Sequence, residues 1–390
     1  MKKQKKTKTP LSASRIKTLQ GCSWEFYSLY HLQVPNSDNT GSILGSTVHQ
    51  CFEHLGEPKR RGYFDKLIET QKLNSVPSIY RYCLTFLRSK KLDPFANTVS
   101  AHGEEISHID LVERMVMSGL NYDFFGQDRN PDEVHSEIAF DIDVEEEGKS
   151  YRIRGFIDKL ILFKEKSLAV IRDWKSSKKY YEGAEVDDNI QDLSYRLATS
   201  KKFPEYKKKQ TEFVFLQHED KEEFSIKTPI ACDDELDGFE HFLTDIQEIV
   251  DNFTEEDAKS NLAYDKGFPT KEQGFSARIK CGMGIHPDQM KKDGSKLLWK
   301  CFVKHPFYFY VIVKDGNVLE SKMEEKDLRA LKDGEKIEKR LYAGCPSWKH
   351  LEYNKNFNKE AAALGFESAI VEEKELDEFK DKSKKKLKKH

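Results

Sequence analysis

Asp158, Asp173 and Lys175 sit on either side of one short charged turn, within YRIRGFIDKLILFKEKSLAVIRDWKSSKK from Tyr151 to Lys179. Two runs rich in Ile, Leu, Val and Phe flank Lys164-Glu165-Lys166-Ser167, a pattern that predicts a β-hairpin. If Phe163 pairs with Leu168, the register sets Asp158 directly opposite Asp173. Facing residues on paired strands have Cβ atoms about 4.5–5.5 Å apart, and like charges there repel. A purely structural hairpin would avoid that pairing, whereas a divalent cation held between the two carboxylates would require it. Side chains alternate along a strand, so Lys175 shares a face with Asp173. That face is expected to carry Phe156, Asp158, Leu160 and Leu162 on one strand and Ala169, Ile171, Asp173 and Lys175 on the other. Ile157, Ile161, Phe163, Leu168, Val170 and Trp174 fall on the opposite face. Both are mostly apolar, which predicts a central hairpin covered by helices on each side.

Around this hairpin the chain offers further polar groups. Gly41–Leu55 reads as a helix beginning after Gly45 or within the Gly41–Ser42 loop, and it carries His49. Upstream, Ser12 or Ser14 can cap a helix whose face continues through Trp24, Phe26, Tyr27 and Tyr30. Residues 56–130 look helical and irregular, clearest at Tyr80–Leu87 and Leu111–Phe125. HSEIAFDIDVEEEG alternates apolar and polar residues as a strand opened by Glu137, leading through Gly148 into the hairpin. Downstream, Asp187–Ser200 is helix-like, with Gln191 and Tyr195 four residues apart on one face. Residues 211–217 read as a buried strand and Asp233–Phe253 as an amphipathic helix. Phe268–His305 is loop-rich, and Phe307–Val313 with Val318–Lys322 forms a second hairpin around Asp315-Gly316-Asn317.

The bulk properties narrow the class. A chain of 390 residues with 25 Phe and 16 Tyr can bury one large core or two ordinary ones. No run of about 18 apolar residues is present, so no membrane partner is expected. MKKQKKTKTP lacks the apolar segment of a secretory signal. Seven irregularly spaced cysteines do not form a disulfide framework. The expectation is an intracellular protein, in cytoplasm or nucleoid, or in a host cell if the chain is viral. A net charge of −2 excludes a generally basic nucleic-acid coat, yet lysines cluster at both ends, where they can add phosphate contacts.

In chain order these groups are His49, Glu137, Gly155-x-x-Asp158, Asp173-Trp174-Lys175 and Gln191-x-x-x-Tyr195. With Ser12-x-Ser14 and a later Cys22 ahead of Gly45-x-x-x-His49, this order resembles the PD-(D/E)XK nuclease superfamily. Within it, the resemblance is to the RecB/AddB-type branch that includes CRISPR-associated exonucleases, and it covers roughly residues 11–305. The resemblance implies an α/β (α+β) fold: a mixed central sheet flanked by helices, a restriction-endonuclease-like core, with an N-terminal helical region and a small C-terminal extension. The implied organisation is a basic tail (1–10), the nuclease domain (11–305), an extension (306–366) and a charged tail (367–390).

Roles follow by position. His49, Asp158, Asp173 and the carbonyl of Trp174 look like metal ligands. Asp158, Asp173, Lys175 and Glu137 look like the catalytic set, with Glu137 the loosest match, and Gln191 and Tyr195 like substrate contacts. Hard oxygen donors with one imidazole suit Mg²⁺ or Mn²⁺. The implied activity is metal-dependent hydrolysis of DNA, by an exonuclease on single strands or duplex ends in replication, recombination or repair. An RNA nuclease and an inactive nucleic-acid-binding scaffold are the alternatives. No P-loop is present, so any unwinding would need a separate helicase or other recombination partner.

Some members of the branch hold an iron–sulfur cluster on four cysteines. Cys22 matches the N-terminal position, but the tight C-terminal triplet is absent, since Cys281, Cys301 and Cys345 are scattered. Cys281 with His286 and Cys301 with His305 could instead offer a zinc-like set. Unliganded, reduced thiols are the expectation carried forward.

Overall fold

The protein is described here by a computed structural model covering residues 8–36, 39–126, 129–181, 189–221, 224–230, 233–263 and 301–346. The described residues group into two compact units. One lies within Met1–Ile16 and Asp38–Asn252, the other within Lys17–Ser37 and Phe253–His390.

The first unit is built on a five-stranded sheet of order β3-β4-β5-β6-β7. Its strands are β3 (Glu133–Glu146), β4 (Lys149–Phe163), β5 (Leu168–Lys175), β6 (Lys208–Phe215) and β7 (Ser225–Lys227). A separate two-stranded ladder, β1 (Asn97–Val99) with β2 (Glu105–Ser107), precedes it. β3 turns into β4 through Glu147-Gly148, where Gly148 takes the positive φ (+77°) that a two-residue hairpin turn demands. β4 and β5 pair as the pattern predicts, Phe163 with Leu168 and Lys159 with Arg172. β5 and β6 run parallel, so the chain between them has to cross over, and it does so through a helix, α7 (Ile190–Lys202). The sheet is therefore mixed and flanked by helices, the expected fold class.

Among the described residues six α-helices precede α7: α1 (Ala13–Gly21), α2 (Ser23–Tyr30), α3 (Thr40–Gly56), α4 (Arg61–Thr70), α5 (Pro77–Ser89) and α6 (His108–Asn121). Helix α3 starts earlier than its composition suggests. Asn39 and Ser42 form a capping box, the Asn39 side chain accepting from Ser42 N while Ser42 Oγ accepts from Asn39 N. The glycine and serine expected to form a loop thus become its first turn. Val48 and Phe52 of α3, Cys83 and Leu87 of α5, and Met115 and Val116 of α6 share a core with Trp174 and Val214 of the sheet. Helix α8 (Asp233–Asn252) lies along β4, where Glu240 accepts from Tyr151 Oη and Gln247 from the Arg152 amide.

The expectation that both faces of the hairpin are covered holds only in part. Phe156 is 62% exposed and Arg154 is exposed beside it. β4 has 15 residues and β5 only 8, and the two pair only over Lys159–Phe163, so the earlier half of β4 extends beyond the body of the sheet. Helix α6 also stops short of the predicted Phe125, at Asn121, and Asp123 follows with φ +41°.

In the second unit, β8 (Phe307–Lys314) and β9 (Asn317–Lys322) form the expected hairpin, its turn made by Asp315 and Gly316 at φ +50° and +78°. A third strand, β10 (Lys336–Tyr342), pairs with β8 on the other side. Tyr342 Oη accepts from Trp24 Nε1 (2.6 Å) of α2 and donates to the Val303 carbonyl (2.7 Å). A short helix, α9 (Glu255–Ser260), packs by α2, with the Ser23 hydroxyl donating to Ala258 O at 2.9 Å. Among the described residues, no helix is long and apolar enough to cross a membrane.

Candidate active site

Three carboxylates stand in one row across three neighbouring strands. The β3–β4 ladder runs Ser136–Lys159 and then Ile138–Ile157, which sets Glu137 opposite Asp158. The β4–β5 ladder ends at Lys159–Arg172, one step before Asp158 would meet Asp173. Neither acid–acid pair is joined in the ladders: β3 and β4 skip the step at Glu137 and resume at Ile138–Ile157, while the β4–β5 ladder stops short of the acids, where like charges in register would repel. Glu137 adopts φ +50°, a left-handed conformation that costs a non-glycine residue energy and turns its backbone out of the strand path. In the gap, the Trp174 amide donates to Asp158 Oδ2 at 2.9 Å.

Helix α3 delivers the imidazole. Gly45 and His49 are four residues apart and so share a helix face. Gly45 lies so close to the end of β5 that a Cβ there would sit 2.4 Å from Ser176 Oγ. This close approach brings His49 Nδ1 to 3.4 Å from Asp158 Oδ1 and Nε2 to 3.0 Å from the Trp174 carbonyl. Ligand atoms of His49, Glu137 and Asp158 all lie within 4.8 Å of one another, the one such group among the described residues. The donor set of one imidazole and hard carboxylates, with the Trp174 carbonyl beside it, fits a divalent cation of the Mg²⁺ or Mn²⁺ kind. The structure thus places Glu137 in the candidate ligand group.

Asp173 is held by a different set. Its Oδ2 pairs with Lys175 Nζ at 2.6 Å, while its Oδ1 accepts from Gln191 Nε2 at 2.9 Å and from Tyr195 Oη at 3.2 Å. Lys175 Nζ also donates to Gln191 Oε1 at 2.8 Å. Helix α7 is fixed for this task by Asn189, whose side chain caps the amides of Gln191 and Asp192. Asn189 was not singled out in the sequence, although an Asn just before a helical pattern is a legible start signal. Nothing in the sequence points to Ser176.

The electrostatics follow from crowding and burial. Burial alone would lower the His49 pKa, but Asp158, Asp173 and Glu137 outweigh it and lift it to about 9. Burial, with the charges of Asp158, Glu53 and Asp173, pushes Glu137 up to about 7 against the opposing pull of His49. Asp173 is raised by its burial, and Lys175 is held above its ordinary value by Asp173 despite its own burial. Burial beside Asp173 keeps the Tyr195 phenol firmly protonated, and so a donor. Crowded carboxylates that keep their protons longer than usual are groups whose charge a bound cation would offset.

Of the candidate cluster residues, Cys22, Cys301 and Cys345 border the apolar cluster of the second unit. His305 has its pKa lowered, chiefly by burial. Cys281 and His286 lie outside the described residues.

A mixed sheet carrying a row of acids, with a lysine two residues beyond the last and an imidazole brought in by a helix, places a candidate cation site beside a fixed ammonium. A family model described as the PD-(D/E)XK nuclease superfamily matches residues 10–264. That is well over half of the chain, and the chain belongs to this superfamily. Among solved structures, a "Putative exonuclease" from Eubacterium rectale is similar at 11% identity and a TM-score of 0.37, over 62% of this chain and 81% of that one. No curated protein matches the sequence.

Proposed function

We propose that this protein is a Mg²⁺- or Mn²⁺-dependent deoxyribonuclease of the RecB/AddB type, acting on single strands or duplex ends in replication, recombination or repair. The observation that carries this reading is the convergence of His49, Glu137 and Asp158 into one ligand group beside the Asp173–Lys175 pair. A divalent cation held by His49, Glu137 and Asp158, with Asp173 and the Trp174 carbonyl adjacent, would supply Lewis-acid stabilisation of phosphoryl charge and an acidified water. The protein's own part is positional. Lys175 stands between Asp173 and Gln191 with its ammonium fixed, a preorganised positive charge for the phosphoryl oxygens. Gln191 and Tyr195 hold Asp173 from the α7 side, so that the acid keeps its place beside Lys175.

DNA is the proposed partner, with any helicase supplied as a separate protein, and the cell interior is the proposed setting. The test is hydrolysis of labelled single-stranded DNA, duplex DNA and RNA with Mg²⁺, Mn²⁺ or EDTA. DNA should be cut only with metal, and Lys175→Ala, Asp173→Ala or Asp158→Ala should abolish cutting, by about 10³-fold or more, while each variant stays folded. Wild-type rates in folded Lys175→Ala would refute the role given to Lys175. Preference for RNA, or binding without hydrolysis, would replace the proposed activity with one of its alternatives.

A further inference from the structure

Beyond the acid row, the carboxyl ends of the parallel strands β5 and β6 carry a second cluster that the chemistry does not use. The chain leaving β5 places Tyr181 against Phe213 and Phe215, at ring-centroid distances of 5.5 and 5.1 Å, and Tyr180 against Phe215 at 4.4 Å. Lys175 Nζ lies 5.6 Å from the Tyr181 ring, so this aromatic group borders the candidate active site. Lys221 places its ammonium over the Tyr180 ring, 3.9 Å from the centroid. His218 backs the cluster, its ring 5.8 Å from Tyr180 and its Nε2 3.2 Å from the Lys178 carbonyl. Asp220, next to Lys221 in the chain, has its carboxylate 3.5 Å from His102 Nε2.

We propose that Tyr180 and Lys221 form a nucleotide subsite of the nuclease, in which one base of a single strand stacks on Tyr180 and the adjoining phosphate takes Lys221. Tyr180 is half-buried and braced from behind by Phe215, which makes it a rigid platform at small entropic cost. Lys221 is exposed and covers the ring as a solvent-facing cation, a weaker contact than base stacking, so an incoming base displaces it toward the backbone. Every base has a π-face, so the subsite selects unpaired strands without selecting sequence. The inference rests on the nuclease reading above and adds the strandedness of its substrate.

The test uses the full chain in EDTA with single-stranded DNA oligonucleotides carrying 2-aminopurine at successive positions. In the wild type and in Tyr180→Phe, one position should be quenched. Tyr180→Ala should lose that quenching and bind roughly 5- to 150-fold more weakly. Lys221→Ala, an exposed change that cannot disturb the core, should reduce the slope of log K against log salt by about 0.7. Unchanged affinity and quenching in folded Tyr180→Ala, or an unchanged salt slope in Lys221→Ala, overturns the subsite. Cleavage by the wild type with Mg²⁺ or Mn²⁺, measured in parallel, separates the failures. No cleavage of any nucleic acid sinks the nuclease reading, whereas cleavage with intact binding by the variants sinks only the subsite.

Discussion

Glu137 and His49 show how a candidate cation site is written into protonation. Each holds its proton to a higher pH than usual, about 7 and about 9. The unfolded chain releases those protons first, near the ordinary values of about 4.3 and 6.5. Between them the metal-free folded protein therefore binds more protons than the unfolded one, and its stability falls as pH rises from about 4.5 to about 9. A cation replaces the protons, so its stabilising effect grows through the same window. Thermal melting in EDTA and in Mn²⁺ at about pH 5, 7 and 9 should show a Mn²⁺ increment that is smallest at the acid end. Glu137→Gln should weaken Mn²⁺ binding in a direct titration and flatten the lower half of the pH dependence. An increment of equal size at all three pH values would contradict the ligand role of this pair.

At the scale of elements, the approach of α3 to the end of β5 sets the site. Gly45 permits it, since a Cβ there would meet Ser176 Oγ at 2.4 Å but the Ser176 Cβ only at 3.4 Å. Gly45→Ala should push the helix outward, move His49 from Trp174 and Asp158, and weaken metal binding roughly 10-fold or more. Removing the hydroxyl with Ser176→Ala should rescue it, because only the oxygen is in conflict. A double-mutant cycle in Mn²⁺ affinity measures this coupling, and additive losses would show that the contact does not position His49. Inside the core, Lys159 lies on β4 with its ammonium 3.2 Å from the Phe124 ring centroid and no hydrogen-bond partner among the described residues. Burial, Arg172 and Arg61 depress its pKa well below that of an ordinary lysine. Lys159→Met keeps the shape without the polar head and should stabilise the fold by about 1–3 kcal/mol in denaturant melts.

At the scale of the molecule, the two units are held by different means. The first is organised by its sheet and the helical core around Trp174. The second depends on Tyr342, whose hydroxyl takes the Trp24 indole and Ser28 hydroxyl and gives its own proton to Val303 O. Tyr342→Phe leaves these buried groups without that partner and should cost about 1–3 kcal/mol. Hydrogen exchange at the amides of β8 and β10 should accelerate accordingly, and exchange unchanged there would deny Tyr342 that role.

The sequence by itself determined the hairpin and its register. Alternation fixes which residues of β4 and β5 can pair, and a charged turn of four residues leaves Phe163 only Leu168 to meet, so Asp158 and Asp173 were legible as neighbours. The order of His49, the acids, Lys175, Gln191 and Tyr195 was enough to suggest the family. Tertiary structure decided the rest. That β6 lies parallel to β5, that Glu137 bends to φ +50° into the ligand group, and that Gly45 touches Ser176 are contacts between segments far apart in the chain. The exposure of Phe156 and the stack of Tyr180 on Phe215 have the same origin. Local pattern records which face a side chain takes, whereas what covers that face, and how closely, depends on packing that no single stretch of sequence contains.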